Sequence, residues 1–400
     1  MHQFYPPVRE FIQQTLKEFP WSYRSQGAVM AAFADHLLTG RKKSWQSFAR
    51  TGIVEYSARQ VQYSLLWGEN HLRLLKERCV ERFAIHDKRE AVTIAVDDTS
   101  TKRYSTGVFG ATHQYNHGSG GIQLGNVIVD CWISAKSYLN YEYQLYLPKQ
   151  FLEREIGHSD DLRSKIALAS DMFKKQIDLL QRLGYRSDLI WGTTDSWYVC
   201  KELVTLFRES GTHFMMGIKS GAKYYHFGEL RRVDQGFAAA EMWHFITNPT
   251  TQTKVYYQTK VVTFPTLGRC RLFAIKRGGN TEIKYYVTNK IDLTILSFCK
   301  RWKDHWGVEN LHKNVKDFCG FDDCYSGREV INLSFLSLVY LLHFLFCQQQ
   351  RLLQRQGHEV SLEQLWETYT LDADIERAQK CLRTTPQIAH ARKRLVSGWC

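Results

Sequence analysis

The chain has 400 residues, of which 44% are hydrophobic and 23% are charged. This composition fits a soluble globular protein with a substantial core, and the length predicts two or three structural units. Ten cysteines without a regular framework argue against a disulfide-stabilised secreted domain, and no apolar run is long enough to indicate a membrane span.

The formal net charge of +13 favours a nucleic-acid partner, and aromatic residues make up 14% of the chain. Cationic side chains bind polyanions because each neutralised phosphate releases counterions. The alternative is that the charge serves only solubility. Cys319 and Cys324, with His305 and His312 upstream, lack the second close pair typical of zinc sites, so we expect reduced, buried thiols.

Residues 1–90 are predicted to be helical, because apolar residues recur at spacings of three and four. Ser57 is a candidate N-cap for a helix that begins at Ala58. A short helix, a turn at Gly52 and this second helix resemble a helix-turn-helix. Plain helical packing and DNA reading are equally compatible with the pattern.

A core of strands and helices follows. The β-branched run VTIAV predicts a buried strand that ends at Asp97-Asp98-Thr99, and DLIWGTTD predicts another that ends at Asp195. Between and after them we expect strands at Leu124–Ser134, Tyr141–Leu147 and His213–Ile218, and helices at Leu162–Leu183, with Gly184 as its stop, and at Val199–Glu209.

Alternating strands then predict a β-rich insertion, and from Leu293 the chain is again helical, with Glu309 on the first helix. The fold class is therefore a mixed α/β sheet with flanking helices. The predicted domains are a helical N-terminal DNA-binding domain at 1–90, a core at 91–220 and 291–345, the insertion at 221–290, and a helical C-terminal region at 346–400.

Asp97 and Asp195 each end an apolar strand, at the sheet edge where ligands bind in α/β folds. One such carboxylate is more often a turn former than a catalyst. Two of them, together with an acidic helix in a basic protein, favour a catalytic site. Trp197, two residues past Asp195, is expected in the core.

The helix that carries Glu309 reads RWKDHWGVENLHKNVKDF. Helical spacing puts Trp302, His305, Glu309, Lys313 and Lys316 on one broad face. The helix could be an ordinary surface helix with a Glu309–Lys313 pair. The functional alternative has Glu309 ligating a metal while the lysines contact phosphates.

In these motifs the chain resembles the insertion-sequence transposases that carry a DDE triad on an RNase H-like core. It is most similar to the group with a Tyr-x2-Arg-x3-Glu-x6-Lys signature, which here reads Trp302-x2-His305-x3-Glu309-x6-Lys316. The segments VDDT and TTDSWY resemble that group's first and second acidic motifs, and a β-rich insertion before the glutamate is also typical of it. His305 and Trp302 depart from the signature's arginine and tyrosine.

The resemblance implies an RNase H-like fold and the catalytic residues Asp97, Asp195 and Glu309, which would hold two Mg²⁺ or Mn²⁺ ions. Asp98 is the alternative to Asp97 as a metal ligand; the family's Asp-x-Thr pattern favours Asp97. The resemblance further implies DNA contacts from a set on the last catalytic helix, namely Trp302, His305, Lys313 and Lys316.

The expected activity is cut-and-paste transposition: cleavage at the element's terminal inverted repeats, followed by strand transfer into target DNA. A homodimer in the DNA complex, no membrane, and a cytoplasmic, nucleoid-associated location in a bacterial host are also expected. The alternatives are an RNase H-like nuclease without strand transfer and a catalytically silent DNA-binding protein. The presence of all three acids favours catalysis.

Overall fold

A computed structural model describes residues 8–22, 25–40, 43–50, 56–84, 87–116, 120–155, 162–237, 243–247, 253–278 and 282–384. The chain forms two compact units. The helical unit comprises residues 1–82, 102–111 and 313–400, and the sheet unit comprises residues 83–101 and 112–312. The predicted domain boundaries stay a prediction, since these units divide the chain differently.

Twelve helices are present in the described part of the chain: α1 (Val8–Glu18), α2 (Gln26–Thr39), α3 (Trp45–Arg50), α4 (Ala58–Leu66), α5 (Glu69–Phe83), α6 (Lys149–Glu155), α7 (Lys165–Arg182), α8 (Lys201–Glu209), α9 (Val233–Gly236), α10 (Ile295–Asp317), α11 (Glu329–Arg355) and α12 (Leu362–Thr384). The boundary between the units falls within α10, after His312.

The strands are β1 (Val92–Ser100), β2 (Thr112–Asn116), β3 (Gly121–Gly125), β4 (Val127–Ser134), β5 (Leu139–Tyr146), β6 (Ile190–Thr194), β7 (His213–Ile218), β8 (Lys223–His226), β9 (Glu229–Arg232), β10 (His244–Thr247), β11 (Lys254–Phe264), β12 (Gly268–Arg277) and β13 (Lys284–Thr288). A short 3₁₀ turn at Ser187–Leu189 precedes β6.

Helix α11 forms the centre of the helical unit and packs against α1, α4 and α12. Phe335 of α11 is fully buried and lies 6.3 Å from the ring of Phe33 on α2. Helix α12 is attached to α2 by polar contacts as well: the Trp366 indole donates to the Leu38 carbonyl at 3.0 Å, and the Tyr369 hydroxyl donates to Asp35 at 3.1 Å. The predicted helices of the N-terminal region are confirmed, although the Gly52 turn lies outside the described residues.

Helix α11 is also long and apolar enough to cross a membrane, and it is the one such helix in the described ranges. However, 89% of its most apolar eighteen-residue window is buried inside the protein. The apolar side chains of α11 are therefore buried against other parts of the protein, as in the core helix of a globular protein.

The sheet unit contains one large mixed sheet, in the order β5-β4-β1-β6-β7-β13-β12-β11-β8-β9, with β10 paired to β11. Strand β1 is parallel to β6 and antiparallel to β4, β6 is parallel to β7, and β4 is antiparallel to β5. Helices α6 and α7 lie between β5 and β6 in the chain, and α8 connects the parallel strands β6 and β7. This arrangement of strands and helices is an RNase H-like fold.

The predicted stop of helix α7 at Gly184 is confirmed, whereas its start lies at Lys165, three residues after the predicted Leu162. Helix α7 begins after Ser164, whose side chain accepts from the Ala167 amide, and ends before Gly184, which has a φ of +85°. Glycine adopts this left-handed conformation without steric cost, so it terminates the helix.

The β-rich segment at 221–290 extends this sheet. Strand β13 pairs antiparallel with β7, and β12 and β11 continue outward from β13. Backbone hydrogen bonding between β7 and β13 therefore makes the segment part of the same sheet. Strands β11, β12 and β13 confirm the three that alternation predicts at Lys254–Phe264, Arg269–Lys276 and Ile283–Thr288.

Candidate active site

The side chains of strand β1 lie on two faces of the sheet, because successive residues of a strand point to opposite faces. Thr93 and Asp97 lie on one face, and Asp97 stands directly opposite Asp130 of the neighbouring strand β4. The Thr93 hydroxyl donates to Asp304 of helix α10 at 3.0 Å. This face of β1 is therefore the one covered by α10.

Helix α10 is attached to this face at further points. His305 lies 3.2 Å from the Thr193 hydroxyl on β6, and the His312 Nε2 lies 2.7 Å from an Asp130 oxygen on β4. Between these contacts, Gly307 packs so closely on Trp132 of β4 that an added Cβ would lie 2.6 Å from the indole ring. The helix thus spans β6, β1 and β4.

Glu309 lies between these attachment points. It follows His305 by four residues and precedes His312 by three, and such spacings share one side of a helix. The half-buried Glu309 therefore lies on the same side of α10 as His305 and His312, whose partners are on β6 and β4, the two strands that flank β1.

Asp98 belongs to the opposite face. Its carboxylate accepts from Lys165 of α7 at 2.7 Å and from the buried Tyr198 hydroxyl at 2.8 Å. The same face is covered by α7 and α8, since a Cβ at Gly192 of β6 would meet the rings of Phe207 and Phe173. The adjacent acids Asp97 and Asp98 therefore contact different layers of the protein.

Asp195 ends β6 and is held by the turn that follows it. Its Oδ1 accepts the backbone amide of Trp197 at 2.9 Å. Gly217 on the neighbouring strand β7 gives this turn room, because a Cβ there would lie 3.0 Å from the Ser196 amide nitrogen. Strands β1 and β6 are parallel, so Asp97 and Asp195 lie at the same edge of the sheet.

At this edge of the sheet, burial and neighbouring carboxylates raise the pKa of the acids. Burial raises the pKa of Asp97 to about 7, the His312 imidazole opposes this shift, and the charge of Asp195 adds to it. Asp195 is exposed, yet the surrounding protein desolvates its carboxyl and raises its pKa, with the nearby Asp98 adding to the shift. A carboxylate pair of this kind is stabilised by a cation.

The donor chemistry at this edge fits a hard divalent cation, because carboxylate oxygens that disfavour each other's negative charge are the ligands that such a cation prefers. In the described part of the chain, no three or more His, Cys, Asp or Glu side chains are grouped so as to hold an ion. The backbone thus brings these acids to one edge without a closed cluster of ligands.

The residues expected to contact DNA have different surroundings. His305 is 2% exposed, and burial lowers its pKa to about 4, so it is a neutral internal residue. A DNA contact does not fit that position. Trp302 is half-buried, stacked 4.5 Å from His305 and packed against Tyr286, and its DNA contact stays a prediction. Lys313 and Lys316 follow on α10 within the helical unit, and their contacts stay predictions as well.

Sequence reasoning missed Lys219. It directly follows β7, which is parallel to β6, and its charge lowers the pKa of Asp195. Its ammonium also lies 5.3 Å from the ring centre of Trp197. Trp197 itself is 57% exposed, so the expectation of a core position for it was wrong. A lysine directly after a strand parallel to an acid-bearing strand is the signal that could have revealed this site.

Comparison with known proteins identifies the family of the chain. A model of the DDE superfamily endonucleases matches residues 16–235, which include Asp97 and Asp195. Glu309 lies beyond the matched segment, so its role in the site stays a prediction. No curated protein matches the chain. Because the family model covers more than half of the 400 residues, the chain belongs to the DDE superfamily of endonucleases.

Proposed function

We propose that this DDE endonuclease is a DNA transposase that cleaves the ends of a mobile element and transfers them into target DNA. Membership of the superfamily makes the protein a nuclease- or transposase-type enzyme that acts on DNA. The observation that carries the proposal is the attachment of α10 to β6 through His305 and to β4 through His312, with Glu309 between these contacts.

In this proposal Asp97, Asp195 and Glu309 hold two divalent ions, Mg²⁺ or Mn²⁺, as endonucleases of this superfamily generally use such metals. When bound, the ions supply an activated oxygen nucleophile and stabilise the leaving oxygen. Asp98 positions the end of β1 through Lys165 and Tyr198. Lys219 stands beside Asp195 and positions a DNA phosphate, with Lys313 and Lys316 as further candidates.

The proposed activity consists of two phosphoryl transfers, a hydrolysis and a transesterification. In the first, a water oxygen forms a bond to phosphorus and the bond from phosphorus to the 3′-oxygen breaks, which leaves a free 3′-hydroxyl. In the second, that hydroxyl forms a bond to a target phosphorus and releases a target 3′-oxygen. Each step exchanges P–O bonds, so no energy source is required. Because two element ends are joined, we expect a dimer in the DNA complex.

The test uses the full-length protein and duplex DNA from the chromosomal sequences that flank its gene, incubated with Mg²⁺ or Mn²⁺. Asp195→Asn should lower the rate of strand cleavage by about 10²–10³-fold or more, while DNA binding in the gel-shift assay persists. The matched control is Asp188→Asn, which removes an exposed carboxylate from the turn before β6. This variant should cleave DNA normally. Undiminished cleavage by Asp195→Asn would remove this residue from the mechanism.

Mapping the products by strand separates the alternatives. Joined products, in which a cleaved 3′ end is linked to a second duplex, support transposition. Nicks without joined products would indicate a nuclease that lacks strand transfer. DNA binding without any metal-dependent product would indicate a catalytically silent protein.

A further inference from the structure

Trp197 places a large aromatic ring on the surface beside a candidate catalytic acid. It follows Asp195 by two residues, and it is 57% exposed. A single exposed aromatic residue is common on protein surfaces and needs no special explanation. The contacts that hold this one, however, give it a defined place at the edge of the sheet where the acids lie.

The backbone around Trp197 is held on both sides. The Asp195 Oδ1 accepts the Trp197 amide at 2.9 Å. The next residue, Tyr198, is fully buried, and its hydroxyl donates to Asp98 at 2.8 Å. Tyr198 thus anchors the turn in the interior, whereas the side chain of Trp197 stays on the surface.

A cation lies next to the exposed ring. The Lys219 ammonium is 5.3 Å from the ring centre of Trp197, a distance at which the π-electrons of an indole attract a cation. Burial raises the pKa of Asp195, and the charge of the same lysine opposes that rise. The carboxylate, the ring and the ammonium therefore lie together where the parallel strands β6 and β7 end.

These three groups match the parts of one nucleotide. A lysine ammonium binds phosphate oxygens, and an aromatic ring stacks on a base whichever base it is. Within a duplex both faces of a base are covered by its neighbours, so the ring can stack on a base only where the strands are separated. A protein partner seated on Trp197 would instead occupy the edge at which Asp195 has to meet DNA.

We propose that Trp197 is a substrate-binding residue that stacks on an unpaired base next to the phosphate to be cut, while Lys219 contacts that phosphate. The inference rests on the proposed function and adds the form of the substrate to it, because it requires the two strands to be separated at the cut site. Stacking fixes the nucleotide beside Asp195 before cleavage.

The first test is a thermodynamic cycle between the ring and the base. The full-length protein is titrated with fluorescent duplexes that carry a central tract of unpaired thymidines, or abasic sites in their place. Ca²⁺ is present, because it binds oxygen ligands as Mg²⁺ does. The wild type should bind the thymidine tract about tenfold more tightly than the abasic tract, whereas the two affinities of Trp197→Ala should differ by less than about twofold.

Two further variants control this comparison. Trp197→Phe keeps an aromatic ring and should retain most of the preference for thymidine. Phe227→Ala removes a ring that is 96% exposed at the turn between β8 and β9 of the same unit, and it should keep the full preference. A wild type without a preference, or a Trp197→Ala variant that keeps it, would overturn the proposal.

The second test locates the contact in the unchanged protein. 5-Iodouracil replaces one base of the unpaired tract, and near-ultraviolet light joins it to an aromatic side chain that lies against it. Mass spectrometry of the digested complex should place the cross-link at Trp197. A cross-link confined to another aromatic residue, such as Trp243 or Phe245, would rule out the assignment to Trp197.

These results are separable from those of the catalytic proposal, since neither test requires cleavage. If Asp195→Asn cleaved DNA normally, the catalytic assignment would fail while the affinities still decided the stacking. If Asp195→Asn lost cleavage but the wild type bound both tracts equally, the transposase proposal would stand and the stacking proposal would fail.

Discussion

At the scale of single residues, Asp97 and Asp98 show how neighbours in a strand acquire different tasks. Asp98 is satisfied by Lys165 and Tyr198, whereas Asp97 is desolvated and lies close to other carboxylates. Such an acid is held in place at a cost in stability, and residues of that kind cluster at functional sites. The two positions should therefore respond oppositely to the same substitution.

We expect Asp97→Asn to stabilise the metal-free protein by about 0.5–2 kcal/mol at pH 8, because it removes a charge from a desolvated position. Asp98→Asn should destabilise it by about 1–3 kcal/mol, because Lys165 loses its counter-charge. Urea unfolding with EDTA present measures both. A loss of stability in Asp97→Asn as large as that in Asp98→Asn would contradict this assignment of roles.

His305 gives a prediction for pH. Burial lowers its pKa from 6.5 to about 4, so the folded protein resists protonation of this ring more than the unfolded chain does. Above pH 6.5 the ring is neutral in both states and does not affect the free energy of unfolding. As the pH falls from 6.5 towards 4, the unfolded chain takes up the proton first, and the free energy of unfolding decreases by up to about 3 kcal/mol. The free energy of unfolding of His305→Asn should fall less over this range. Parallel pH profiles for the two proteins would show that His305 is not the group responsible.

At the scale of elements, the attachment of α10 to the sheet decides whether Glu309 can act with the two aspartates. The helix approaches β4 closely because position 307 has no side chain. Its attachments to Thr93, Thr193 and Asp130 come from three adjacent strands. A small displacement of the helix should therefore change catalysis more than it changes the overall fold.

Gly307→Ala tests this dependence. The added Cβ would lie 2.6 Å from Trp132, so the helix or the indole must move. We expect a cost of about 1–3 kcal/mol from overpacking, larger than the gain of about 1 kcal/mol in helix propensity. DNA cleavage should fall as well, and Trp132→Phe should partly restore it in the double variant. Asn310→Ala, at an exposed position of α10, is the control; equal effects of the two alanines would contradict the prediction.

At the scale of the whole molecule, the most apolar helix is a core element of the helical unit. Phe335→Ala in α11 should lower the free energy of unfolding by about 3–5 kcal/mol, because it leaves a cavity beside Phe33. Val330→Ala on the same helix is the control, since Val330 is 40% exposed and should cost less than about 0.5 kcal/mol. Denaturant unfolding compares them, and a small effect of Phe335→Ala would argue against a central role for α11.

The sequence determined the local elements and their chemistry. Strands β11, β12 and β13, the capped start of α4 and the glycine that ends α7 follow from alternation, capping and backbone conformation, which act over a few residues. The charge pattern and the strand-ending acids, together with the resemblance, pointed to a metal-dependent enzyme acting on DNA.

Only the tertiary structure decided which face of β1 meets α10, that the β-rich segment continues the main sheet, and that Lys219 lies beside Asp195. Alternation along a strand separates Asp97 from Asp98 but does not say which helix covers which side. Packing between elements distant in the chain makes that choice, because a buried histidine such as His305 or His312 needs a polar partner on the strand it covers.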